Sequence, residues 1–330
     1  MRVLVTGCAG LLGSHFSKNL LNNGASVVGI DNLSGGYLDF VDPRLDFCQM
    51  DLNDSESLNE IFENKKIDYV FHFAAYAAEG LSHWIRNFNY TNNVLSSVNL
   101  INCCIKYNVK KMVFTSSMAV YGSQSPPFTE DMKPSPEDPY AIAKYTVEQD
   151  LMTAAQHFGL RYSIVRPHNV IGVNQNIWDR YRNVIGIWIR KILDGENITV
   201  FGDGMQTRAF SDIKYYMEPF HKLMSEGDGE IFNIGADEEI TILEAANLIR
   251  DIGKCYGYNS EVVHLEPRNE VKFAYCDQTK AKNFLGFKDE TILRQTFEQM
   301  FRWAMDQPKR EVKAINYELE NNMYSYWRDN

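Results

Sequence analysis

Three patterns in the sequence predict an α/β fold: a Rossmann-like, doubly wound parallel sheet with a smaller C-terminal α+β substrate-binding lobe. Short apolar runs alternate with segments of helical periodicity through the first half of the chain. A glycine-rich turn follows the first apolar run, and turn residues separate shorter elements after about residue 167. Strands that alternate with helices form βαβ units, which bring ligands to the carboxyl ends of the strands.

The predicted elements follow from these patterns in chain order. The apolar runs that we interpret as buried strands are Val3–Val5, Ser26–Ile30, Leu45–Met50, Tyr69–Phe73, Met112–Phe114 and Tyr162–Val165. Helical periodicity covers Leu11–Asn22, Ser55–Asn64, Val94–Tyr107 and Tyr140–Phe158, and it returns at Leu243–Ile252 and Thr291–Met305. We therefore expect a Rossmann domain at 1–166, its sheet completed by later segments, and mainly a substrate-binding lobe at 167–330.

Composition and charge argue against several classes of partner. The 330 residues are 45% hydrophobic and 23% charged, as in ordinary globular proteins. The formal net charge of −10 disfavours nucleic acid or an anionic membrane surface as the main partner. The six cysteines show neither CxxC pairs nor a disulfide framework, so we expect reduced thiols and no metal site. The N-terminus enters a strand at once and no apolar run has membrane-spanning length, which predicts a cytoplasmic protein.

The first predicted strand ends in a GxxGxxG pattern that opens a helix. Gly7 permits a tight turn, Gly10 lets the backbone approach a pyrophosphate, and Gly13 allows the helix to pack closely on the strand. The amides and partial positive charge of the helix N-terminus favour the same anion. Leu11 and Leu12 therefore belong to the predicted dinucleotide site.

The ends of the next strands extend this site. Asp31 ends the second predicted strand, where its carboxylate can accept hydrogen bonds from both ribose hydroxyls of adenosine and would repel a 2′-phosphate. This residue favours NAD over NADP. Asp51 ends the third strand, where it can accept a hydrogen bond from the adenine amino group. The remaining residues of the predicted cofactor site at these strand ends are Asn32, Leu52, Phe73, Ala74 and Ala75.

Tyr140 and Lys144 form the strongest chemical pattern in the chain. On a helix they share one face, one turn apart, and a nearby cation lowers the pKa of a tyrosine, as does a positive nicotinamide ring. A phenolate able to take a hydroxyl proton near neutral pH is then expected. The fifth predicted strand ends at Ser116 and Ser117, which places a hydroxyl beside the phenol at the ligand edge of the sheet.

Taken together, the motifs resemble those of the extended short-chain dehydrogenase/reductase family: TGCAGLLG, IDN, HFAA, TSSMAVYG, YAIAK, RPHNVIG and FGDGMQTRAF. Within that family the resemblance is closest in kind to the NAD-dependent nucleotide-sugar epimerase/dehydratase group typified by UDP-glucose 4-epimerase. It spans about residues 1–290. The resemblance implies NAD as the cofactor, a UDP- or GDP-linked hexose as the substrate and a homodimer.

The resemblance also implies a role for each matching residue. Tyr140 would be the general base and acid, Lys144 would tune it and hold the nicotinamide ribose, and Ser117 would bridge the substrate and Tyr140. Further cofactor contacts would come from Asn93, Ser116 and Pro167. The implied nucleotide-sugar contacts are Ser117, Met118, Asn169, Asn183, Val184 and Phe201, with Arg208 and Arg268 clamping the diphosphate.

Residues after Ser117 discriminate among the chemistries of the family. Its 4,6-dehydratases carry Asp-Glu where this chain has Met118 and Ala119. Its nucleotide-sugar decarboxylases keep an acid at the position of Ala119, and its 3,5-epimerising relatives place a cysteine near it. This chain has neither group there. What remains is one titratable dyad and a hydroxyl, which favours a 4-epimerase that acts through a transient 4-keto intermediate. Two alternatives stay open: a C4 dehydrogenase or 4-keto-sugar reductase with net redox, and a non-catalytic NAD-binding regulator.

Some features depart from the family pattern. The segment 76–84 lacks the basic residue that many 4-epimerases carry near Ala77. His168 stands where an aromatic is more usual, and we expect a hydrogen-bonded loop residue or a sugar contact there. Arg180 and Arg182 are additional arginines near the substrate loop. We expect them either to be solvated or ion-paired, or to contact the substrate. RPHNVIG and FGDGMQTRAF also resemble GDP-mannose 3,5-epimerases, so the sequence leaves the nucleotide base open.

One more alternative concerns assembly. An apolar stripe at helical spacing, formed by Leu95, Val98, Ile101 and Ile105, either covers the sheet or pairs with a second subunit in a four-helix bundle.

Overall fold

Strands and helices alternate along the first half of the chain, as the sequence predicts. The structure is a computed structural model and describes residues 1–268, 270–312 and 315–328. Its strands are β1 (Arg2–Thr6), β2 (Ser26–Asp31), β3 (Asp46–Gln49), β4 (Tyr69–His72), β5 (Lys111–Thr115), β6 (Tyr162–Pro167), β7 (Val170–Ile171), β8 (Ile198–Phe201), β9 (Thr207–Arg208), β10 (Ser211–Asp212), β11 (Glu230–Ile234), β12 (Ile240–Thr241), β13 (Val262–Leu265) and β14 (Phe273–Ala274).

The helices lie between these strands and after them. They are α1 (Leu11–Asn22), α2 (Ser55–Lys65), α3 (Arg86–Tyr90), α4 (Ser96–Lys106), α5 (Pro139–Phe158), α6 (Val184–Leu193), α7 (Met217–Lys222), α8 (Ile242–Cys255), α9 (Thr279–Leu285), α10 (Leu293–Met305) and α11 (Ser325–Arg328). None of the helices in the part of the chain that the structure describes has the length and apolar character needed to cross a membrane.

Seven of the strands form one parallel sheet in the order β11, β6, β5, β4, β1, β2, β3. The chain runs outward from β1 in one direction through β2 and β3, and then in the other through β4, β5, β6 and β11. The crevice between the ends of β1 and β4 is therefore the topological switch point, where such sheets bind ligands. This architecture confirms the predicted doubly wound fold, and β11 is a later segment that completes the sheet.

Alternating side chains of the strands enter two cores, one on each face of the sheet. Leu4 of β1 faces a core that includes residues of α2, α4 and α5, whereas Val3 and Val5 face one that includes residues of α1, α7 and α9. A strand buried on both faces has little polar surface, which is why the predicted strands appear as continuous apolar runs.

The elements after β6 build a further core beside the sheet. Helices α6, α8 and α10 pack around the parallel pair β8–β13, with Trp188, Ile249 and Phe297 among the buried residues. The indole nitrogen of Trp188 donates to the carbonyl of Thr199, 2.8 Å away, so α6 is tied to β8. Shorter strand pairs, β7–β10 and the sheet β12–β9–β14, lie in the same part of the chain.

The helix predicted at Val94–Tyr107 differs from the observed structure. Helical turns begin at Arg86, and a π-helical turn, Thr91–Leu95, separates α3 from α4. The hydroxyls of Ser96 and Ser97 donate to the carbonyls of Asn92 and Asn93, four residues earlier, at 2.6 and 2.8 Å. Such bonds compete with the regular helical ladder and bend or widen a helix locally.

A buried ion pair lies beneath the ligand edge of the sheet. Glu148 of α5 and Arg166 of β6 make two hydrogen bonds, of 2.9 and 2.6 Å, and both side chains are almost wholly inaccessible to solvent. Glu148 also accepts from the hydroxyl of Ser116 at 2.5 Å, and Arg166 donates to the phenol of Tyr121 at 2.8 Å. The network therefore joins α5, β6 and the loop that follows β5.

Removing one partner of this pair should destabilise the fold. Glu148→Gln leaves the Arg166 guanidinium buried without a counter-charge, and we expect the free energy of unfolding to fall by about 3–5 kcal/mol. Chemical denaturation would measure the change. Arg44→Ala, which breaks the exposed pair with Asp42, is the control and should leave the free energy of unfolding nearly unchanged. Equal effects of the two substitutions would contradict the prediction.

Candidate active site

A cavity of about 820 Å³ lies at the carboxyl ends of the central strands, between the sheet and the elements that follow β6. Of the residues predicted from the sequence for the cofactor, substrate and catalytic sites, all but Asn93 line this cavity. The fold thus brings together side chains from both halves of the chain. Within the described residues, no group of three or more His, Cys, Asp or Glu side chains is placed to hold a metal ion.

The glycine-rich turn between β1 and α1 lies at one end of the cavity. Gly7 has φ +70°, and a Cβ at this position would lie 2.7 Å from the backbone nitrogen of Ala74. A Cβ at Gly13 would lie 2.1 Å from the carbonyl oxygen of Gly7. Only glycine allows this close approach of α1, β1 and the end of β4. The first-turn amides of α1, which helix geometry leaves without intrahelical acceptors, fit a pyrophosphate.

Asp31 stands at the end of β2, beside the glycine-rich turn. Its carboxylate accepts from the backbone amides of Ala9 and Leu33, at 3.0 and 2.8 Å, and the side chain is buried. These bonds fix the orientation of the carboxylate at the wall of the cavity, where it places a negative charge. The position and charge of Asp31 fit an adenosine ribose that carries no 2′-phosphate.

Asp51 and Asn32 lie together at the next strand end. Asn32 donates to one carboxylate oxygen of Asp51 at 2.9 Å, and the backbone and side chain of Asn53 donate to the other at 2.8 Å. Burial alone would raise the pKa of Asp51, but these hydrogen bonds outweigh it and lower the pKa. The residue is therefore an ionised acceptor at neutral pH, as recognition of an amino group requires.

The catalytic residues predicted from the sequence lie on α5 and at the end of β5. Asp138 caps α5 by accepting from the amide of Ala141 at 2.9 Å, which orients the first turn that carries Tyr140. Tyr140 and Ser117 line the same cavity, and the Ser117 hydroxyl accepts from the amide of Ala119 at 3.1 Å. The ammonium of Lys144 donates to the carbonyl of Thr115 at 2.8 Å and lies 5.9 Å from the centre of the Tyr140 ring.

The protonation of Tyr140 and Lys144 differs from the sequence-based expectation. Burial raises the pKa of Tyr140, and the carboxylates of Glu79 and Asp138 add to the rise, while the hydrogen bond with Ser117 opposes it. Burial also lowers the pKa of Lys144 to about 7, against the attraction of Glu148. In the protein alone, burial therefore dominates the pKa of Tyr140, and the net shift is upward rather than the lowering expected from the sequence.

Asn93 lies behind the cavity and does not line it. Its side-chain oxygen accepts from the amide of Tyr76 at 2.9 Å, and its nitrogen donates to the carbonyl of the same residue at 3.1 Å and to Asn89 at 2.8 Å. The structure thus places Asn93 outside the cavity lining, and its cofactor contact stays a prediction. Because all its polar atoms are used in this way, Asn93 acts on the site by fixing the backbone that follows Ala75.

Two arginines and one carboxylate from the second half of the chain also line the cavity. Arg208 and Arg268 both donate to the same oxygen of Glu270, at 3.2 and 3.3 Å. The guanidinium of Arg268 also covers the ring of Phe201, 4.5 Å from its centre. A pair of guanidinium groups with one shared counter-charge retains net positive charge, which fits a diphosphate.

The asparagines predicted to contact the nucleotide-sugar have strained backbones on the same wall. Asn169 and Asn183 have φ values of +26° and +44°. Asn183 caps α6 by accepting from the amide of Ile185 at 3.1 Å, and Asn169 donates to the carbonyl of Ala209 at 3.4 Å. Left-handed backbone held by such bonds is frequent at ligand sites. Their neighbours Val184 and Met118 complete this part of the lining.

Sequence reasoning missed Glu79, which reaches into the cavity from the segment after β4. The Glu79 side chain is exposed to the cavity. The protein that surrounds the cavity nevertheless desolvates the carboxyl and raises its pKa to about 7. Asp138 adds to the rise, whereas Arg208 and Arg268 oppose it. The cavity therefore holds a further titratable carboxyl beside the predicted catalytic dyad. The only sequence signal was a carboxylate in the segment where family members carry a basic residue.

Two further expectations have different outcomes. His168 is fully buried, does not line the cavity, and its two ring nitrogens have no hydrogen-bond partner among the described residues. Its backbone amide donates to the carbonyl of Ile234 at 2.9 Å, and its carbonyl accepts from the hydroxyl of Ser211 at 3.1 Å. Within the part of the chain that the structure describes, the residue is therefore hydrogen-bonded through its backbone alone. Burial lowers the pKa of His168 to about 3, and the ring is neutral. Arg182 is paired with Asp179 at 2.8 Å and covers the ring of Tyr76, yet it lines the cavity together with Arg180.

The chain matches the model of the NAD-dependent epimerase/dehydratase family over residues 3–235. It is similar to a putative UDP-glucose 4-epimerase of Methanocaldococcus jannaschii, with 32% identity over 91% of this chain and 97% of that protein. The solved UDP-glucose 4-epimerase of Thermotoga maritima with UDP-glucose has a TM-score of 0.87 and 33% identity, covering 92% of this chain and 99% of that one. A UDP-glucuronic acid 4-epimerase of Bacillus cereus, in complex with UDP-glucuronic acid and NAD, has a TM-score of 0.83 and 27% identity over the same shares.

The charge of Asp31 should set the preference between the two nicotinamide cofactors. We expect NAD(H) to bind much more tightly than NADP(H), because a buried carboxylate opposes a 2′-phosphate. Asp31→Ala should weaken NAD(H) binding and strengthen NADP(H) binding, so that the ratio of the two dissociation constants approaches one. Calorimetric titration of both cofactors would measure this ratio. Equal affinities in the unmodified protein would show that Asp31 does not face the ribose.

Proposed function

The chain belongs to the NAD-dependent epimerase/dehydratase family, and from this membership we infer that it is an NAD-dependent nucleotide-sugar 4-epimerase of the UDP-glucose/UDP-galactose type. The family resemblance and the cofactor expected from the sequence are both confirmed. The observation that carries the 4-epimerase assignment is the placement of Tyr140, Lys144 and Ser117 in the same cavity as the arginine pair.

The placement of these groups suits chemistry at a carbinol carbon. A diphosphate held by Arg208 and Arg268 anchors the nucleotide-sugar at a distance from the reacting carbon, while the phenol of Tyr140 meets the sugar hydroxyl. Tyr140 takes the proton of the C4 hydroxyl and later returns it, and Ser117 bridges the two oxygens. The sugar turns between these steps while the diphosphate stays bound, so that C4 is inverted.

The cofactor-binding residues fit NAD along the whole ligand edge of the sheet. The first turn of α1 would hold the pyrophosphate, Asp31 the adenosine ribose, Asp51 the adenine, and Lys144 the nicotinamide ribose. When bound, NAD⁺ supplies a reversible hydride acceptor and a positive ring next to the phenol. Tyr140 needs such a charge, because burial and two carboxylates raise its pKa in the protein alone.

Substitution of Tyr140 tests the proposal directly. Tyr140→Phe removes the only phenolic oxygen assigned to proton transfer, and turnover of UDP-glucose to UDP-galactose should fall by about 10²–10⁴-fold. Binding of NAD and of the nucleotide-sugar should remain. Tyr145→Phe, on the same helix and outside the cavity, is the matched control and should retain activity. Near-normal turnover in Tyr140→Phe would overturn the mechanism.

The products separate the remaining functions. A 4-epimerase yields the C4-inverted sugar without net NADH, and the assay should use both UDP- and GDP-linked hexoses. Accumulating NADH with a 4-keto product would establish the dehydrogenase alternative. A 4-keto-6-deoxy sugar would show elimination of water, for which Glu79 offers a nearby carboxyl. Binding of NAD without turnover of any nucleotide-sugar would support the non-catalytic regulator.

We also propose that the protein is a homodimer that pairs through α4 and α5. Ile101 is buried against the sheet, and Val98 and Ile105 are half-buried, so the predicted apolar stripe serves the sheet in part. Leu95 is 51% exposed, however, and Ile142 on the neighbouring α5 is 40% exposed. Apolar side chains exposed on two adjacent helical segments fit the face of an intersubunit four-helix bundle.

Light scattering at micromolar concentration should give the mass of a dimer. Leu95→Asp places a charge on the proposed interface and should shift the mass toward that of a monomer. Ile292→Asp adds the same charge at a leucine-sized side chain of similar exposure outside this face, and it should leave the mass unchanged. A monomer mass for the unmodified protein would exclude this assembly.

A further inference from the structure

Residues 315–328, here called the C-terminal strap, lie against the segment that follows β4. The carboxylate of Glu318 accepts from the backbone amides of Asn87 and Phe88, both at 2.7 Å. The amide of Glu318 donates to the carbonyl of Trp84 at 2.8 Å, and the indole of Trp84 donates to the carbonyl of Asn321 at 3.0 Å. These bonds fix the strap in one position on the first half of the chain.

An aromatic cluster joins the strap to the second half of the chain as well. The ring of Trp327 packs edge-on against Trp84 and Tyr181, with centroids 5.4 and 5.6 Å away. The hydroxyls of Tyr181 and Tyr317 are 2.5 Å apart. A Cβ at Gly80 would lie 3.4 Å from the Trp327 ring, in ordinary contact. The strap therefore closes over the gap between the segments 76–84 and 178–182.

Those two segments are the ones that depart from the family pattern. The first lacks the usual basic residue and carries Glu79, and the second carries Arg180 and Arg182. Both line the cavity, and both contact the strap. The unusual residues at this end of the site and the strap therefore form one structural unit.

Three aromatic residues of the strap also line the cavity: Tyr324, Tyr326 and Trp327. The ring of Tyr326 meets the ring of Phe201 edge-on, with centroids 5.8 Å apart at 87°, and the ammonium of Lys191 lies 5.4 Å from the centre of the Tyr326 ring. The Phe201 ring is also covered by the guanidinium of Arg268. Aromatic rings that face a cavity beside a diphosphate-binding pair suit a planar base.

The order of groups along the cavity sets which part of a ligand meets which ring. Gly80 lies next to the Trp327 ring, and both line the same cavity as Tyr140, so this part of the lining suits the reacting sugar. The Arg268 guanidinium covers the Phe201 ring, so a nucleoside whose diphosphate is bound there would meet Phe201 and Tyr326.

On the basis of the proposed function, we propose that the C-terminal strap is part of the nucleotide-sugar site, with Tyr326 and Phe201 holding the nucleobase and Trp327 bounding the sugar.

Point variants of the full-length, NAD-loaded protein test this. Tyr326→Ala should weaken the binding of UDP or GDP, whichever the protein binds, by at least about fivefold, because base–aromatic contacts are lost. Trp327→Ala should raise KM for the UDP- or GDP-hexose by a similar factor while nucleoside diphosphate affinity changes less than about twofold, because UDP and GDP carry no sugar. Calorimetry would measure the affinities, and a coupled assay would measure KM.

Leu319→Ala is the matched control, since Leu319 belongs to the strap and its side chain is 48% exposed outside the cavity. It should change none of these values. The NAD dissociation constant and the thermal midpoint report on folding. If Trp327→Ala lowers the thermal midpoint, the Tyr326→Ala variant decides the question, because the Tyr326 ring is only half-buried.

Affinities and KM in both aromatic variants within twofold of Leu319→Ala would overturn the proposal, as would failure of the unmodified protein to bind UDP or GDP. Epimerisation that is insensitive to the strap leaves the proposed function standing and removes the strap from the site. UDP or GDP binding that depends on Tyr326, without epimerisation, supports the strap's role and contradicts the proposed function.

Discussion

The buried pair of Glu148 and Arg166 is the constraint on which the active site depends. Tyr140, Lys144 and Glu148 follow one another at four-residue spacing, so one face of α5 carries the base, its neighbouring cation and the anchor. Glu148 ties that face to β6 through Arg166 and to the end of β5 through Ser116. A buried ion pair adds little net stability compared with apolar packing, but it fixes geometry, because either group alone would be costly to bury.

Burial also sets the protonation of Lys144 and Tyr140 on the same face of α5. The Lys144 pKa lies near 7 in the folded protein and near 10.5 in an exposed lysine. The unfolded chain therefore binds more protons between these values, and Lys144 opposes folding most strongly below pH 7, with the cost relieved as pH rises toward 10.5. Tyr140 is held protonated in the same environment. The fold thus holds the proposed catalytic pair in a state that a positively charged nicotinamide ring would change, which would couple cofactor binding to reactivity.

Local spacing allowed the sequence to predict the glycine-rich turn, Asp31, Ser117 and the Tyr140–Lys144 pair, because each depends on neighbours within one turn or one strand end. Contacts between distant segments could not be predicted in this way. Glu79 enters the cavity only because the segment after β4 folds over it, and the C-terminal strap reaches Phe201 from residues more than a hundred positions away. The role of the Asn93 amide in holding the Tyr76 backbone could not be predicted for the same reason.

The charges in the cavity argue that Glu79 supports rather than replaces Tyr140. Arg208 and Arg268 lower the pKa of Glu79, and they are the groups that a diphosphate would neutralise. A bound diphosphate would therefore weaken the interaction that keeps Glu79 ionised and would favour its protonated form. A protonated carboxyl donates a hydrogen bond to a sugar hydroxyl and cannot abstract a proton from carbon. We therefore propose that the phenol of Tyr140 is the proton acceptor at C4 and that Glu79 contributes a hydrogen bond to the sugar.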